Sequence, residues 1–224
     1  MSGPEAVRQA IERMRAIAGD CAADDGVGVF NAVYLQVTEM VLERLGTGGV
    51  FADNAFMAEL DMRFAGFWFA AYDSIDGEQP RAWAPLFERR ATPGLLPVQH
   101  ALAGMNAHIE HDLPLAVIRT CRDRGLRPSQ VRADYEAVSD LLAEVEAEIR
   151  RTFLSDLGRE VDDRIDPVAH LISAWNIDKA RDVAWVHVET LWQLRRSRRL
   201  TEAYAAVLAN TVGMGSRLLL TRVR

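Results

Sequence analysis

Apolar residues recur along most of the chain at intervals of three and four, which is the spacing of one face of an α-helix. The first segment shows this spacing directly after Pro4, at Val7, Ile11, Met14 and Ile17. Strict alternation of apolar and polar residues, which is typical of a half-buried strand, is nearly absent. The pattern therefore predicts an all-α protein, a multi-helix bundle.

Caps and helix breakers divide this pattern into separate helices. Asp53 is expected to cap a helix that reaches about Ser74, and Pro97 and Pro128 are expected to begin two more. Leu113-Pro114 is expected to interrupt the helix that starts at Pro97, because a residue before proline is pushed away from α geometry. The other main predicted helices cover about 4–20, 27–45, 80–90, 167–196 and 200–220.

The whole chain is expected to form one helical domain, residues 1–224. It has 224 residues, 49% of them hydrophobic, which is enough for a sizeable core. No internal repeat, low-complexity segment or long linker divides it. The net charge is -6, so bulk charge does not favour nucleic acid as a partner. The basic run at 195–199 is interpreted as a solvated helix end, where cations are favourable.

The sequence also indicates where the protein resides. Cys21 and Cys121 are too few and too far apart for a disulfide framework. No secretory signal is visible at the N-terminus, and the longest apolar region, 64–72, is too short to span a membrane. We therefore expect a cytoplasmic protein without a membrane partner, and the oligomeric state stays open.

Asp61 is a polar residue on an apolar helix face. At about 100° per residue it shares that face with four large or apolar neighbours. These are Phe64, Ala65, Trp68 and Tyr72. An unpaired carboxylate pointing inward is costly, so Asp61 is expected to have a partner: an arginine, a histidine, a hydroxyl or a metal. A paired structural aspartate and a functional group are both open interpretations.

His187 is a similar case in the predicted helix from Pro167. Its face carries Ala180, Val183, Ala184, Leu191 and Leu194. We expect an inward imidazole, which serves either as a hydrogen-bonded core histidine or as a functional group.

Three histidines fall within about 80° of one another on the helix from Pro97. His100 lies about 12 Å along the axis from His108, so a straight helix does not bring the two to one metal ion. His108 is about one turn from His111 and Asp112, the spacing by which one helix offers two ligands. Asp112 has the alternative role of capping the helix that restarts at Leu113-Pro114.

A sharper hypothesis combines three helices into one metal centre. Asp61, His108 with Asp112 or His111, and His187 would converge as a histidine–carboxylate site that suits zinc or iron. His108 and His100 are the expected catalytic residues, and His100, one to two turns away, would be an acid/base group or would donate a hydrogen bond to a metal ligand. The chain has no H-E-x-x-H and no paired E-x-x-H elements, and a metal-free pocket using the same histidines is an equal alternative.

Substrate-binding residues are proposed from the aromatic and amide side chains around these positions. They are Asn106, Trp68, Tyr72 and Trp185. The tryptophans of the predicted helix from Pro167, at 175, 185 and 192, lie partly on a second apolar face, where they line a ligand pocket or pack against other helices. Asn106 points away from the histidine face and toward a neighbouring helix.

The segment from His100 to Ala116, HALAGMNAHIEHDLPLA, resembles a family of uncharacterised bacterial proteins that is frequent in actinobacteria. In that family a His…Gly-Met-Asn-x-His…Asp-Leu-Pro pattern recurs. The resemblance extends over most of the chain, including the Trp185-Val-His187 region. It directs attention to His100, Asn106, His108 and Asp112, and it implies no activity.

Together these observations predict a helical protein with a buried polar His/Asp pocket. The first hypothesis is a metal-dependent hydrolase or oxygenase that acts on a small organic molecule. The alternative is a non-catalytic domain that binds a small molecule or another protein and whose histidines are structural.

Overall fold

The computed structural model describes residues 3–47, 51–75, 77–157 and 176–222. Within these ranges the regular structure is helical and contains no strand, which confirms the all-α prediction. The helices are α1 (Gly3–Asp20), α2 (Gly26–Thr47), α3 (Asn54–Tyr72), α4 (Ala84–Glu88), α5 (Pro97–Asn106), α6 (Leu113–Asp123), α7 (Pro128–Leu157), α8 (Ile177–Leu194) and α9 (Arg198–Leu219); a π-helical segment (Ala107–Asp112) joins α5 to α6.

Local capping decides where several of these helices begin. The Asp53 carboxylate accepts the Phe56 N–H at 2.8 Å, so the predicted cap of α3 is confirmed. The Asn176 side chain accepts the Lys179 N–H at 2.8 Å and caps α8 in the same way. Asn176 has an extended backbone, so the predicted helix 167–196 does not run continuously, and its part from 167 to 175 lies outside the described residues.

The core is organised around the continuous helical rod of α5, the π segment and α6. Almost every side chain from 98 to 118 is buried, on all sides of the rod. A helix that is buried all round needs neighbours on every face. The rod contacts α2, α3, α8 and α9, while α1 covers α2 and α3 with its predicted apolar face.

The π segment explains why Leu113-Pro114 does not interrupt this rod. The Leu113 N–H donates to the His108 carbonyl, five residues back, instead of to the carbonyl four residues back. Pro114 has no N–H, and in a regular α-helix its ring would clash with the Glu110 carbonyl. The wider turn accommodates the proline, so the predicted break is wrong and the helix continues to Asp123.

The structure also bears on the two cysteines and on the search for a membrane-spanning helix. Both Cys21 and Cys121 are free thiols. In the part of the chain that the structure describes, no helix combines the length and the apolar character that crossing a membrane requires.

Candidate functional site

The π segment carries a buried carboxylate that three ring N–H groups approach. The Asp112 side chain is 1% exposed, and its Oδ2 lies 3.0 Å from His108 Nδ1 and 2.9 Å from the indole nitrogen of Trp83, which donates to it. Its Oδ1 lies 2.7 Å from His111 Nδ1. We call these four residues the Asp112 cluster. The Asp112 side chain makes no capping hydrogen bond to α6, so its alternative capping role is not observed.

Hydrogen bonding, not burial, decides the charge of Asp112. Burial acts to raise its pKa, but the bonds from His108 and His111 outweigh burial and lower the pKa below its ordinary value. The carboxylate is therefore ionised. It fixes the tautomer of His108, since the Nδ1 that faces it must carry the proton.

His108 sits in an aromatic cage with its second nitrogen unsatisfied. Its ring stacks on Phe64 at 3.5 Å between centroids and lies edge-on to Tyr34 at 4.4 Å, with Trp83 and Phe30 at 5.7 and 5.9 Å. Burial lowers its pKa in spite of Asp112, so the imidazole is neutral. Nε2 is buried and has no hydrogen-bond partner among the described residues.

A cavity of about 70 Å³ lies beside this cage, between α2, α3, α6, α7 and α8. Its polar wall contains Tyr34, Asp61 and Arg181. The apolar wall includes Val37, Leu60, Phe64, Leu113 and Leu142. We call this the core cavity. Phe64 separates it from His108, which does not line it.

Asp61 points inward, as the helix pattern predicted, but none of the described residues is the predicted partner. Its Oδ2 is buried and makes no hydrogen bond to any described residue. Burial raises its pKa from 3.8 to about 7. The Tyr34 hydroxyl is also unsatisfied, and burial, together with the nearby Asp61, raises its pKa well above the usual range. The adjacent Thr38 hydroxyl donates to the Tyr34 carbonyl at 2.9 Å.

The four predicted metal ligands do not form one group, although His108 and Asp112 contact each other. His108 Nδ1 faces Asp112 Oδ2 at 3.0 Å, Asp112 Oδ1 faces His111 Nδ1 at 2.7 Å, and His187 Nδ1 lies 2.7 Å from the Tyr204 hydroxyl. Among the described residues, no group of three or more histidine, cysteine or acidic side chains is arranged to hold a metal ion. The described residues therefore do not form the predicted zinc or iron site.

The position of His187 follows from the orientation of α8. The predicted apolar face placed Val183 beside His187, but Val183 is 44% exposed. The buried face of α8 instead consists of Ile177, Ala180, Arg181, Ala184, Trp185, Val188 and Leu191. His187 is only half-buried at the edge of that face, where burial still lowers its pKa.

His100 lies at the other end of α5, away from the core cavity. Its ring packs on Gly26 so closely that a Cβ at position 26 would lie 2.1 Å from Nδ1. Nδ1 is buried and unpartnered within the described ranges, and burial lowers its pKa although Asp25 acts to raise it. The geometry thus separates the two predicted catalytic histidines, and neither lines the core cavity.

Two predicted substrate-binding residues make hydrogen bonds between helices. The Asn106 amide donates to the Val212 carbonyl at 3.0 Å and to the Ser216 hydroxyl at 2.9 Å, so it faces a neighbouring helix as expected. The Trp68 indole is fully buried and donates to Asn31 at 3.2 Å. Tyr72, next to Trp68, is half-buried, and it does not line the core cavity.

Trp185 lies at a second, larger pocket on the surface. This outer groove, about 770 Å³, includes Arg127, Arg132, Trp185 and Trp192 in its wall. The guanidinium of Arg132 covers the Trp185 ring at 4.5 Å, and the Tyr135 ring packs on Trp185 at 4.7 Å. Since Tyr135 lines the core cavity, the Tyr135–Trp185 pair is a wall between the two spaces. Trp175 lies outside the described residues.

Sequence reasoning missed three residues of these sites: Tyr34, Trp83 and Arg181. Arg181 was detectable, because it follows Ile177 by four and precedes Ala184 and Val188 by three and seven. Tyr34 is one residue from Val33 and three from Val37, on a helix that is apolar on most faces. The sequence pattern therefore does not show clearly which side of this helix is buried. Trp83 joins Asp112 only through tertiary packing, and no spacing signals it.

The comparisons with known proteins define a family but no chemistry. Residues 7–222 match the model of a family of unknown function (DUF5995). Comparisons with curated proteins and with solved structures found no match.

Proposed function

Because the chain belongs to this family of unknown function (DUF5995), its role has to be inferred from its residues, and we propose that it binds a small organic molecule in the core cavity. The observation that carries the proposal is the pair of unsatisfied polar atoms on the cavity, Tyr34 Oη and Asp61 Oδ2. Leaving a buried polar group unsatisfied costs about 1–3 kcal/mol. A ligand with a donor and an acceptor would satisfy both atoms.

The size of the core cavity limits the ligand. One water molecule needs roughly 10–15 Å³ of cavity volume, so the 70 Å³ of the core cavity corresponds to a molecule of only a few heavy atoms. Drug-sized ligands occupy pockets of about 300–1,000 Å³. The largely apolar wall favours a ligand with a short hydrocarbon part, and the polar atoms orient it.

Methyl-detected NMR tests this proposal. We expect 1-butanol and butyramide to shift the methyl signals of Val37, Leu60 and Leu113, which line the core cavity. Tyr34→Phe and Asp61→Asn each change one polar group, so binding should weaken by about three-fold to ten-fold. Asp182→Asn, at a carboxylate 76% exposed on α8, is the matched control. Unchanged methyl signals with every probe would refute the proposal.

A second candidate function, acid–base catalysis on the bound molecule, is supported by Asp61. Its pKa of about 7 lies where a general acid/base works best. In this candidate the Asp61 carboxylate removes a proton from the carbon next to a ligand carbonyl, and the Tyr34 hydroxyl donates a hydrogen bond to the enolate oxygen. The same proton, or one exchanged with solvent, then returns to the carbon. His108 is a positioning residue here, since it contacts Phe64 and Tyr34 but not the cavity.

Deuterium exchange tests the catalytic candidate separately from binding. In D₂O at pH 7 the wild type should speed the loss of the α-proton NMR signals of butanone, and Asp61→Asn should not. Asp182→Asn should exchange at the wild-type rate. Equal rates for the wild type and Asp61→Asn would rule out proton transfer by Asp61 and leave the binding proposal intact.

A further inference from the structure

Arg181 is a buried cation on the wall of the core cavity. It is 6% exposed and lies on the buried face of α8. Its Nη2 donates to the Tyr135 carbonyl, its Nε lies 3.4 Å from the Ser139 hydroxyl, and the guanidinium covers the Tyr135 ring at 4.2 Å. These contacts hold the plane of the guanidinium and leave Nη1 without an acceptor among the described residues.

No carboxylate in the described part of the chain forms an ion pair with Arg181. Asp182 is 76% exposed and makes only a long contact with Arg132, at 4.0 Å. Asp61 shares the cavity, but burial alone accounts for its raised pKa, so Arg181 does not act on it as a counter-ion. A buried charge without a counter-ion is among the most costly groups in a protein interior. The guanidinium remains charged, although burial lowers its pKa.

We propose that the ligand of the core cavity is a small organic carboxylate, held by its carboxylate on Arg181 with its hydrocarbon part against the apolar wall; this rests on the proposed function. A guanidinium presents parallel N–H groups that match a carboxylate and bind it more strongly than a neutral group. Tyr34 and Asp61 then contact the rest of the ligand. Below about pH 7, where Asp61 is protonated, it adds no negative charge to repel the carboxylate.

The experiment compares three probes of nearly the same size: butyrate, butyramide and 1-butanol. Each is titrated into the 224-residue chain at pH 6 and constant chloride, in a buffer free of carboxylates, with the methyl signals of Leu60 and Leu113 as the readout. Butyrate should bind about ten-fold tighter than butyramide, because only butyrate makes a charge-assisted contact. Arg181→Met should remove this preference while 1-butanol still binds.

Arg181→Lys provides a second variant if Arg181→Met fails to fold. Lysine keeps the charge but lacks the paired N–H groups of the guanidinium, so the preference for butyrate should fall several-fold and butyramide binding should not change. Ser139→Ala, which removes one contact of the guanidinium, should have a smaller effect in the same direction.

The outcomes separate this inference from the proposed function. If butyrate and butyramide bind equally, the carboxylate inference is wrong and the binding proposal stands. If butyrate binds more tightly but neither Arg181 variant changes the preference, the carboxylate is held elsewhere and the inference is also wrong. If no probe binds, the proposed function itself fails.

Discussion

Replacing Asp61 with asparagine should change how the stability of the protein depends on pH. The pKa of Asp61 rises from 3.8 to about 7 because the carboxyl group is buried without a partner. In the unfolded chain the group ionises near pH 4, whereas in the folded protein it keeps its proton until about pH 7. The folded state therefore binds more protons in this window, and the free energy of unfolding falls as the pH rises through it.

The magnitude follows from the size of the shift. A rise of roughly three pKa units, at about 1.4 kcal/mol per unit, means that ionising Asp61 costs the folded state about 4 kcal/mol above pH 7. Asparagine cannot ionise. The stability of Asp61→Asn relative to the wild type should therefore increase by about 3 kcal/mol between pH 4.5 and pH 8.

Urea unfolding followed by circular dichroism at several pH values measures this difference. The comparison of the two proteins cancels the titration of all other groups. Asp182→Asn again serves as the control, since it removes an exposed carboxylate, and its difference from the wild type should stay within about 0.5 kcal/mol. A difference for Asp61→Asn that is constant within about 1 kcal/mol, or a carboxyl ¹³C titration of Asp61 with a midpoint below pH 5, would refute the reasoning.

Three further predictions concern the packing of the rod. Gly104→Ala should lower the free energy of unfolding by about 1–3 kcal/mol, because its Cβ would lie 2.3 Å from the buried Phe30 ring. Gly66→Ala, with open space around it, should raise the free energy of unfolding by about 0.5–1 kcal/mol. Thermal unfolding distinguishes the two variants. Asp112→Asn should cost about 3–5 kcal/mol by urea unfolding, because one amide oxygen cannot accept three ring N–H groups, and a loss below 1 kcal/mol would contradict the assigned network. Trp83→Phe should cost about 1–3 kcal/mol and should be non-additive with Asp112→Asn, while additive losses would show that the two side chains do not interact.

Much of the secondary structure could be predicted because it depends on neighbours in sequence. Asp53 caps α3 through an N–H only three residues away, and Pro97 and Pro128 occupy helix starts, where a missing N–H costs little. The face of α1 follows from its spacing alone. The prediction at Leu113-Pro114 was wrong, because local rules predicted a break there. The rod is enclosed by other helices, and a π turn accommodates the proline without ending the helix.

The candidate site was predicted less well, because a helical wheel gives the direction of a side chain and not its partner. Asp61 was placed inward correctly, but its lack of a partner depends on which residues of α2 and α8 face it. His108 and Asp112 were recognised as neighbours one turn apart, and they contact each other, but no third metal-ligating side chain joins them among the described residues. On α8 the inferred face was rotated from the face that is actually buried. It included Val183, which is exposed, and left out Arg181, which is buried.

The sequence by itself therefore determined the helical fold, most helix boundaries and a family of unknown function, because periodicity, caps and motifs are local properties of the chain. Only the tertiary structure decided that a carboxyl group, a tyrosine hydroxyl and an arginine from three different helices meet on one cavity. The relative rotation and axial offset of packed helices depend on how all their side chains interlock. These are the quantities that set which polar groups find partners and which remain for a ligand.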